Sequence, residues 1–211
     1  MKWFLGIAGA IAVVGLMGTT AHAACAQTNV LYKAAFNARD DSWTTTEGDT
    51  TTMKMSDGVV MFEKKAGGSE SAFYNGDTFG SATICTDIAL TAQSDKNASA
   101  GVVFWSGEGA NYYIFQIDPV LGTFAVQRRK DAKWLFPLDW KASEAVKRGV
   151  NAVNELSVTT DGAHMTASIN GQEVASLIGA PGDGPWKVGL HFEGGDTVSA
   201  TWSATNFTVT R

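Results

Sequence analysis

The chain has 211 residues, 45% of them hydrophobic and 18% charged, with 23 Gly and 4 Pro. This composition suits a globular protein and excludes disordered, collagen-like and coiled-coil classes. The 16 basic against 21 acidic residues leave a formal net charge of −5. That argues against nucleic acid as a partner, because such affinity rests on neutralising phosphates.

The N-terminus reads as an export address. Lys2 is the only charged residue before Lys33, Trp3 to Met17 are apolar or Gly, and Gly18 to Ala23 end in A-x-A. A basic start, a short apolar run and small residues at the cut predict a signal peptide over residues 1–23. The apolar run is shorter than the roughly 20 residues that span a bilayer. No later segment comes close, so no transmembrane segment is expected. Lipid attachment at Cys25 is disfavoured by His22 three places before it. The mature chain, 24–211, has no linker or composition shift and reads as one domain, periplasmic or secreted.

Cys25 and Cys85 are the only cysteines. In an oxidising compartment an even count predicts a disulfide between them, the alternative being two unpaired thiols. In the mature chain neither has another Cys or a His at ligand spacing, which speaks against a metal site there.

The rest reads as short strands between turns. Predicted strands are Val59 to Phe62, Ser81 to Leu90, Gly101 to Trp105, Tyr112 to Asp118 and Phe124 to Arg129. Glu155 to Thr160, His164 to Ile169, Glu173 to Leu177, Val188 to Glu193, Thr197 to Trp202 and Phe207 to Thr210 follow. Ser143 to Val150 is a short helix or a loop. Asp57-Gly58, Asp161-Gly162 and Asn170-Gly171 are hairpin dipeptides, since these residues tolerate positive φ. Pro119 to Gly122 is a four-residue reversal. Many antiparallel strands and almost no helix predict an all-β, antiparallel β-sandwich of jelly-roll type.

Several segments carry a resemblance. They are GVVFW (101–105), NYYIFQID (111–118), FAVQRRKDAKW (124–134), RGVNAVNELSVTTDGAHMTASINGQEV (148–174) and KVGLHFEGGDTVSATWSATNFTVTR (187–211). Together they resemble the concanavalin A-like lectin/glucanase superfamily, in particular its bacterial 3-keto-disaccharide hydrolase and laminin-G-like branch. DDSW (40–43) and SDGVV (56–60) fit the opening strands more loosely. The resemblance implies a concanavalin A-like jelly roll with ligands on its concave sheet. It leaves the activity open, because these residues mostly build the sandwich.

Strand alternation sorts the residues by face. If Pro119 to Gly122 form the loop, Ile117 pairs with Phe124 and Phe115 with Val126. Tyr113, Phe115, Ile117, Phe124, Val126 and the Arg128 stem then face the core, as do Val102, Phe104, Val188, Leu190 and Phe192. The opposite face carries Trp105, Tyr112, Gln116, Gln127, Arg129, His191 and Glu193. Aromatic rings stack on sugars, and amides, cations and carboxylates bond their hydroxyls. These seven are therefore the candidate ligand-binding residues, against the alternative of an ordinary solvated face. Trp134 and Trp140, in KWLFPLDW, read as an edge loop that walls a cleft or plugs the sandwich. Trp186 reads as a strand start and Trp202 as core.

Catalytic motifs are sparse. The E-x-D-x-E strand of the superfamily's retaining β-glucanases has no counterpart, and of the carboxylates only Asp118 and Glu193 fall on the proposed face. No G-x-S-x-G elbow, phosphate loop or H-E-x-x-H is present. His164, just after a turn, reads as solvated. His191 and Glu193, two apart on one face, are the catalytic candidates. No cofactor is expected. A structural Ca²⁺ at Asp40-Asp41 is open, although Thr205-Asn206-Phe207 stands where relatives carry an Asp. The reading is an exported, non-catalytic glycan-binding or structural β-sandwich with carbohydrate as partner. The alternatives are a hydrolase or lyase acting on 3-keto-glycosides, with Arg129 as electrostatic partner, and a protein-interaction module.

Overall fold

The computed structural model describes Cys25 and residues 28–44, 48–109 and 111–211. The signal peptide lies outside the described residues. In chain order the strands are β1 Val30–Lys33, β2 Thr51–Ser56, β3 Val59–Lys64, β4 Ser69–Phe73, β5 Ala82–Leu90, β6 Ala100–Ser106 and β7 Tyr112–Asp118. They continue as β8 Thr123–Lys130, β9 Lys133–Ala142, β10 Asn154–Asp161, β11 His164–Ile169, β12 Gln172–Ile178, β13 Lys187–Glu193 and β14 Ala200–Thr210. No helix occurs among the described residues; Ser143 to Val150 is built of turns.

One sheet runs β12-β11-β10-β5-β14-β3-β2, with β1 also on β14; the other runs β4-β13-β6-β7-β8-β9. Every pairing is antiparallel. The two sheets bury their apolar faces against each other, as a two-layer sandwich must. Phe62, Ile88 and Trp202 come from one sheet, and Phe104, Phe115, Phe124 and Phe192 from the other, all essentially inaccessible. Phe62 and Phe192 stack across the gap with centroids 4.3 Å apart.

Two of the hairpins turn where glycine dipeptides place them. Asp57 and Gly58 have φ of 53° and 82°, and Asn170 and Gly171 of 51° and 78°. Positive φ at both central residues is what a two-residue type I′ hairpin requires. Ile117 pairs with Phe124 and Phe115 with Val126, as the face assignment requires. The reversal between β7 and β8 is held by Asp118. Its Oδ1 accepts the N–H groups of Val120 (2.8 Å) and Leu121 (3.0 Å), and its Oδ2 accepts that of Asn97 (2.9 Å).

The structure corrects the sequence reading in places. The segment expected as an edge loop is β9, a mostly exposed strand at the sheet edge where Pro137 is tolerated because one side needs no ladder bonds. Its pairing with β8 slips twice, between Phe124 and Val126 and between Val126 and Arg128. The last two expected strands are one, β14, whose register shifts between Thr205 and Thr208. Asn206 takes the left-handed conformation at this bulge (φ 54°) and donates to Asp87 Oδ2 at 2.7 Å.

Cys25 and Cys85 form a disulfide, with Cα atoms 5.7 Å apart. It ties the N-terminal segment to β5 across a 60-residue separation. Loop closure of that length in the unfolded chain is worth up to about 4 kcal/mol. Cys25→Ser is expected to lower stability by about 2–4 kcal/mol, a Tm loss of roughly 4–16 °C by calorimetry. A change below 1 °C would show that the closed loop does not constrain the unfolded chain.

Candidate functional site

The outward face of the six-stranded sheet forms rows across its strands. One row is Ser71, His191, Gly101, Gln116 and Ala125, from β4, β13, β6, β7 and β8. The next carries Phe73, Gly189, Val103, Ile114 and Gln127. Tyr112, Arg129 and Trp134 form a third, at the far end of β7, β8 and β9.

The sheet curls into a trough. β9 and β13 are separated by three strands, which is about 19 Å on a flat sheet. Yet the rings of Trp134 and His191 stand 6.2 Å apart. Trp134 also meets Tyr112 edge-on at 6.2 Å and lies under the Arg129 guanidinium at 4.9 Å. Tyr112 in turn packs on Phe73 at 5.3 Å. Trp134, Tyr112 and Arg129 remain partly exposed.

Glycine sets the depth. A Cβ at Gly101 would run into the Phe115 carbonyl oxygen and the Gln116 Cα, and one at Gly189 into the Ala72 carbonyl oxygen. The strands beside His191 therefore approach closely, and no side chain from Gly101 separates His191 from Gln116.

At the floor lies a buried polar chain. Ser71 Oγ is 2.8 Å from His191 Nδ1, and His191 Nε2 is 3.1 Å from Glu193 Oε1. Ser99 Oγ lies 2.9 Å from Glu193 Oε2 and 3.2 Å from Gln116 Oε1. His191 is 1% exposed, Ser71 7% and Gln116 0%.

The two carboxylates differ in character. Burial disfavours charge on Glu193, but the hydrogen bond and charge of His191 and the Ser99 hydroxyl outweigh it, so its pKa is lowered. Burial pushes Asp118 up, against the opposing pull of its three backbone N–H bonds. Asp118 thus serves the β7–β8 turn, and Glu193 is the carboxylate that stays charged in the trough. A lowered folded-state pKa stabilises above the ordinary value and is lost as pH falls through the lowered one. Wild type is therefore expected to lose more Tm than Glu193→Gln between about pH 5 and pH 3. Parallel Tm profiles would contradict this; Asp118, with the opposite sign, is common to both proteins.

Of the seven residues expected on this face, Tyr112, Gln116, Gln127, Arg129, His191 and Glu193 lie on it. Trp105 does not. The β6–β13 register shifts between Lys187 and Gly189, opposite Phe104 and Trp105, and Trp105 takes φ 49°. The bulge breaks the alternation, so Phe104 and Trp105 both turn into the core. Trp105 is 2% exposed and packs on Tyr113 at 5.2 Å and Trp186 at 6.3 Å. Trp134 takes the aromatic place on the face, while Trp140 is half-buried elsewhere on β9. Trp186 bridges to Phe79 just before β13, and Trp202 is core, as expected. Ser71 and Ser99 carry no sequence signal, since isolated serines mark loops and strand ends alike. His164 opens β11 and bonds Ser176 Oγ at 3.0 Å, away from the trough. Asp40 Oδ1 accepts the Ser42 N–H and hydroxyl in a local turn. No group of three or more metal-ligating side chains occurs among the described residues.

Solved structures align along the whole sandwich. The β-glucanase of Bacillus licheniformis superimposes with a TM-score of 0.61 over 87% of this chain and 98% of its own, at 10% identity. The catalytic domain of an endo-1,3-β-glucanase (laminarinase) from Thermotoga petrophila gives 0.60 over 85% and 96%, at 10% identity. The carbohydrate-binding module CBM66 from Bacillus subtilis gives 0.50 over 87% and 98%, at 16% identity. This chain has the concanavalin A-like jelly-roll fold. At such identities the likeness carries the fold alone. Neither a protein-family model nor a curated protein sequence matches the chain. No helix among the described residues is long and apolar enough to cross a membrane.

Proposed function

We propose that this is an exported protein that binds a glycan in the trough of its six-stranded sheet. The observation that carries the reading is the group of Trp134, Tyr112 and Arg129, which touch one another and stay partly exposed on the outward face. Trp134 and Tyr112 offer rings for the apolar face of a pyranose, and Arg129 and Glu193, both partly exposed, offer polar partners. Structural neighbours titled as a carbohydrate-binding module and as glucanases support a sugar as the ligand class. The disulfide fits an oxidising, extracytoplasmic compartment.

Reaction on a 3-keto-glycoside requires a base with a free basic atom near a carbon acid. Both His191 nitrogens and both Glu193 oxygens are already engaged, which favours recognition over direct proton abstraction by either residue.

Isothermal titration of the mature protein with neutral oligosaccharides, β-glucans and 3-keto-glycosides tests the reading. Saturable binding of one class is expected. No binding to any of them, with a protein partner co-purifying instead, would replace it with the interaction-module reading.

A further inference from the structure

We propose that Ser71, His191 and Glu193 form a nucleophile–base–carboxylate relay that hydrolyses O-acyl esters, with an acylated glycan as the substrate class. The ester chemistry stands on the relay alone; the glycan rests on the recognition reading above.

The hydrogen-bond directions follow from donor inventory. A charged carboxylate only accepts. Glu193 Oε2 therefore takes the Ser99 hydroxyl proton's bond (2.9 Å), and Oε1 takes the His191 Nε2–H bond (3.1 Å). The relay operates through the neutral imidazole with its proton on Nε2 and Nδ1 bare; beside a protonated ring, whose charge holds Glu193 down, Ser71 can only accept. In the neutral form Nδ1 accepts the Ser71 O–H at 2.8 Å. The sequence of roles is hydroxyl, base and orienting carboxylate, each within hydrogen-bond reach of the next, which is the general signature of an activated nucleophile. The imidazole is turned end for end relative to the Ser-His-Asp template, where Nε2 faces the serine. Either nitrogen of the ring serves as base once the other is held as N–H.

Three further features separate this chain from a chance contact. Its members come from different strands: Ser71 from the edge strand β4, and His191 and Glu193 from β13. Ser71 and His191 are almost wholly buried, so their mutual hydrogen bond is shielded from water. Ser99 fixes the second oxygen of Glu193, so the carboxylate cannot rotate away from the ring as the imidazolium forms.

The reaction balances with water as co-reactant. Ser71 Oγ attacks the acyl carbon while its proton passes to His191 Nδ1. The bond from the acyl carbon to the sugar oxygen breaks, and that oxygen takes the proton from Nδ1. Water then attacks the acyl carbon and gives a proton to Nδ1. The Ser71 Oγ–acyl bond breaks, Oγ recovers that proton, and the carboxylic acid leaves. Nothing is oxidised or reduced.

The test uses the disulfide-bonded mature protein, a fluorophosphonate probe and 4-nitrophenyl acetate. The expected result is one covalent adduct mapped to Ser71 by peptide mass spectrometry, with a burst of nitrophenolate. Ser71→Ala removes both, and Glu193→Gln slows labelling by about 10²–10⁴-fold with Tm within a few degrees of wild type. A folded wild-type protein that is not labelled, or is labelled at another residue, overturns the relay. Ser71→Ala hydrolysing the ester at the wild-type rate does the same. The small probes need no sugar contacts, so glycan titration of the same samples reports separately on recognition.

Discussion

Trp202→Ala is expected to destabilise the protein by about 3–5 kcal/mol, a Tm loss of roughly 6–20 °C. Trp202 is fully buried and flanked in its sheet by Phe62 on β3 and Leu90 on β5. Phe62 stacks on Phe192 of the opposite sheet, so the indole belongs to the layer that joins the two. Its Nε1–H also donates to the Glu193 carbonyl oxygen at 3.1 Å. Truncation leaves a cavity and an unpaired carbonyl at the end of β13, next to the one trough carboxylate that stays charged. The variant should therefore lose Glu193-dependent pH behaviour as well as stability. Calorimetry at neutral and acid pH reads both. A loss below 1 kcal/mol would mean that the site does not lean on this part of the core.

Trp134→Ala is expected to weaken glycan binding by about 10–100-fold while leaving the sandwich folded. The ring is half-buried and stands on an edge strand, touching Tyr112, Arg129 and His191 rather than the core. Its removal forfeits edge contacts and one cation–π pair, about 1–2 kcal/mol of stability in all. A stacking platform at the centre of a sugar site carries about 1.4–2.7 kcal/mol of affinity, which is that 10–100-fold. Calorimetric titration alongside a melting curve separates the two effects. Unchanged affinity in a folded variant would take Trp134 out of the site.

These expectations could be partly drawn from the sequence, and the limits are physical. Alternation in Tyr112 to Asp118 and Phe124 to Arg129 brackets a clear turn, so their register and faces were legible to the residue. The same alternation carried Glu193 and His191 to the correct face. Trp105 was misplaced because a bulge adds one residue to the count without any mark in composition. KWLFPLDW hid β9 because Pro137 breaks strand patterning, and only position at a sheet edge permits it. β4, SESAF, is short and polar, so neither the strand nor Ser71 as partner of His191 shows in the linear chain. Pairing between β4 and β13 joins residues 120 apart, a relation that local periodicity does not encode. The cysteines were legible because only two exist.

The end of the sandwich holds a rival location for a ligand. A cleft of about 990 Å³ opens there between Ser106, Gly107, Glu108 and Asn111 on one side and Ala180, Asp183 and Lys187 on the other, with Arg128 and Lys130 in its wall. Nitrogen-15 NMR during titration with the tightest glycan of the screen decides between the two places. Binding in the trough predicts that the Trp134 indole N–H and the side-chain amides of Gln116 and Gln127 shift together and saturate. Shifts confined to residues 106–108, Asn111 and 180–187, with those three signals unmoved, would contradict it.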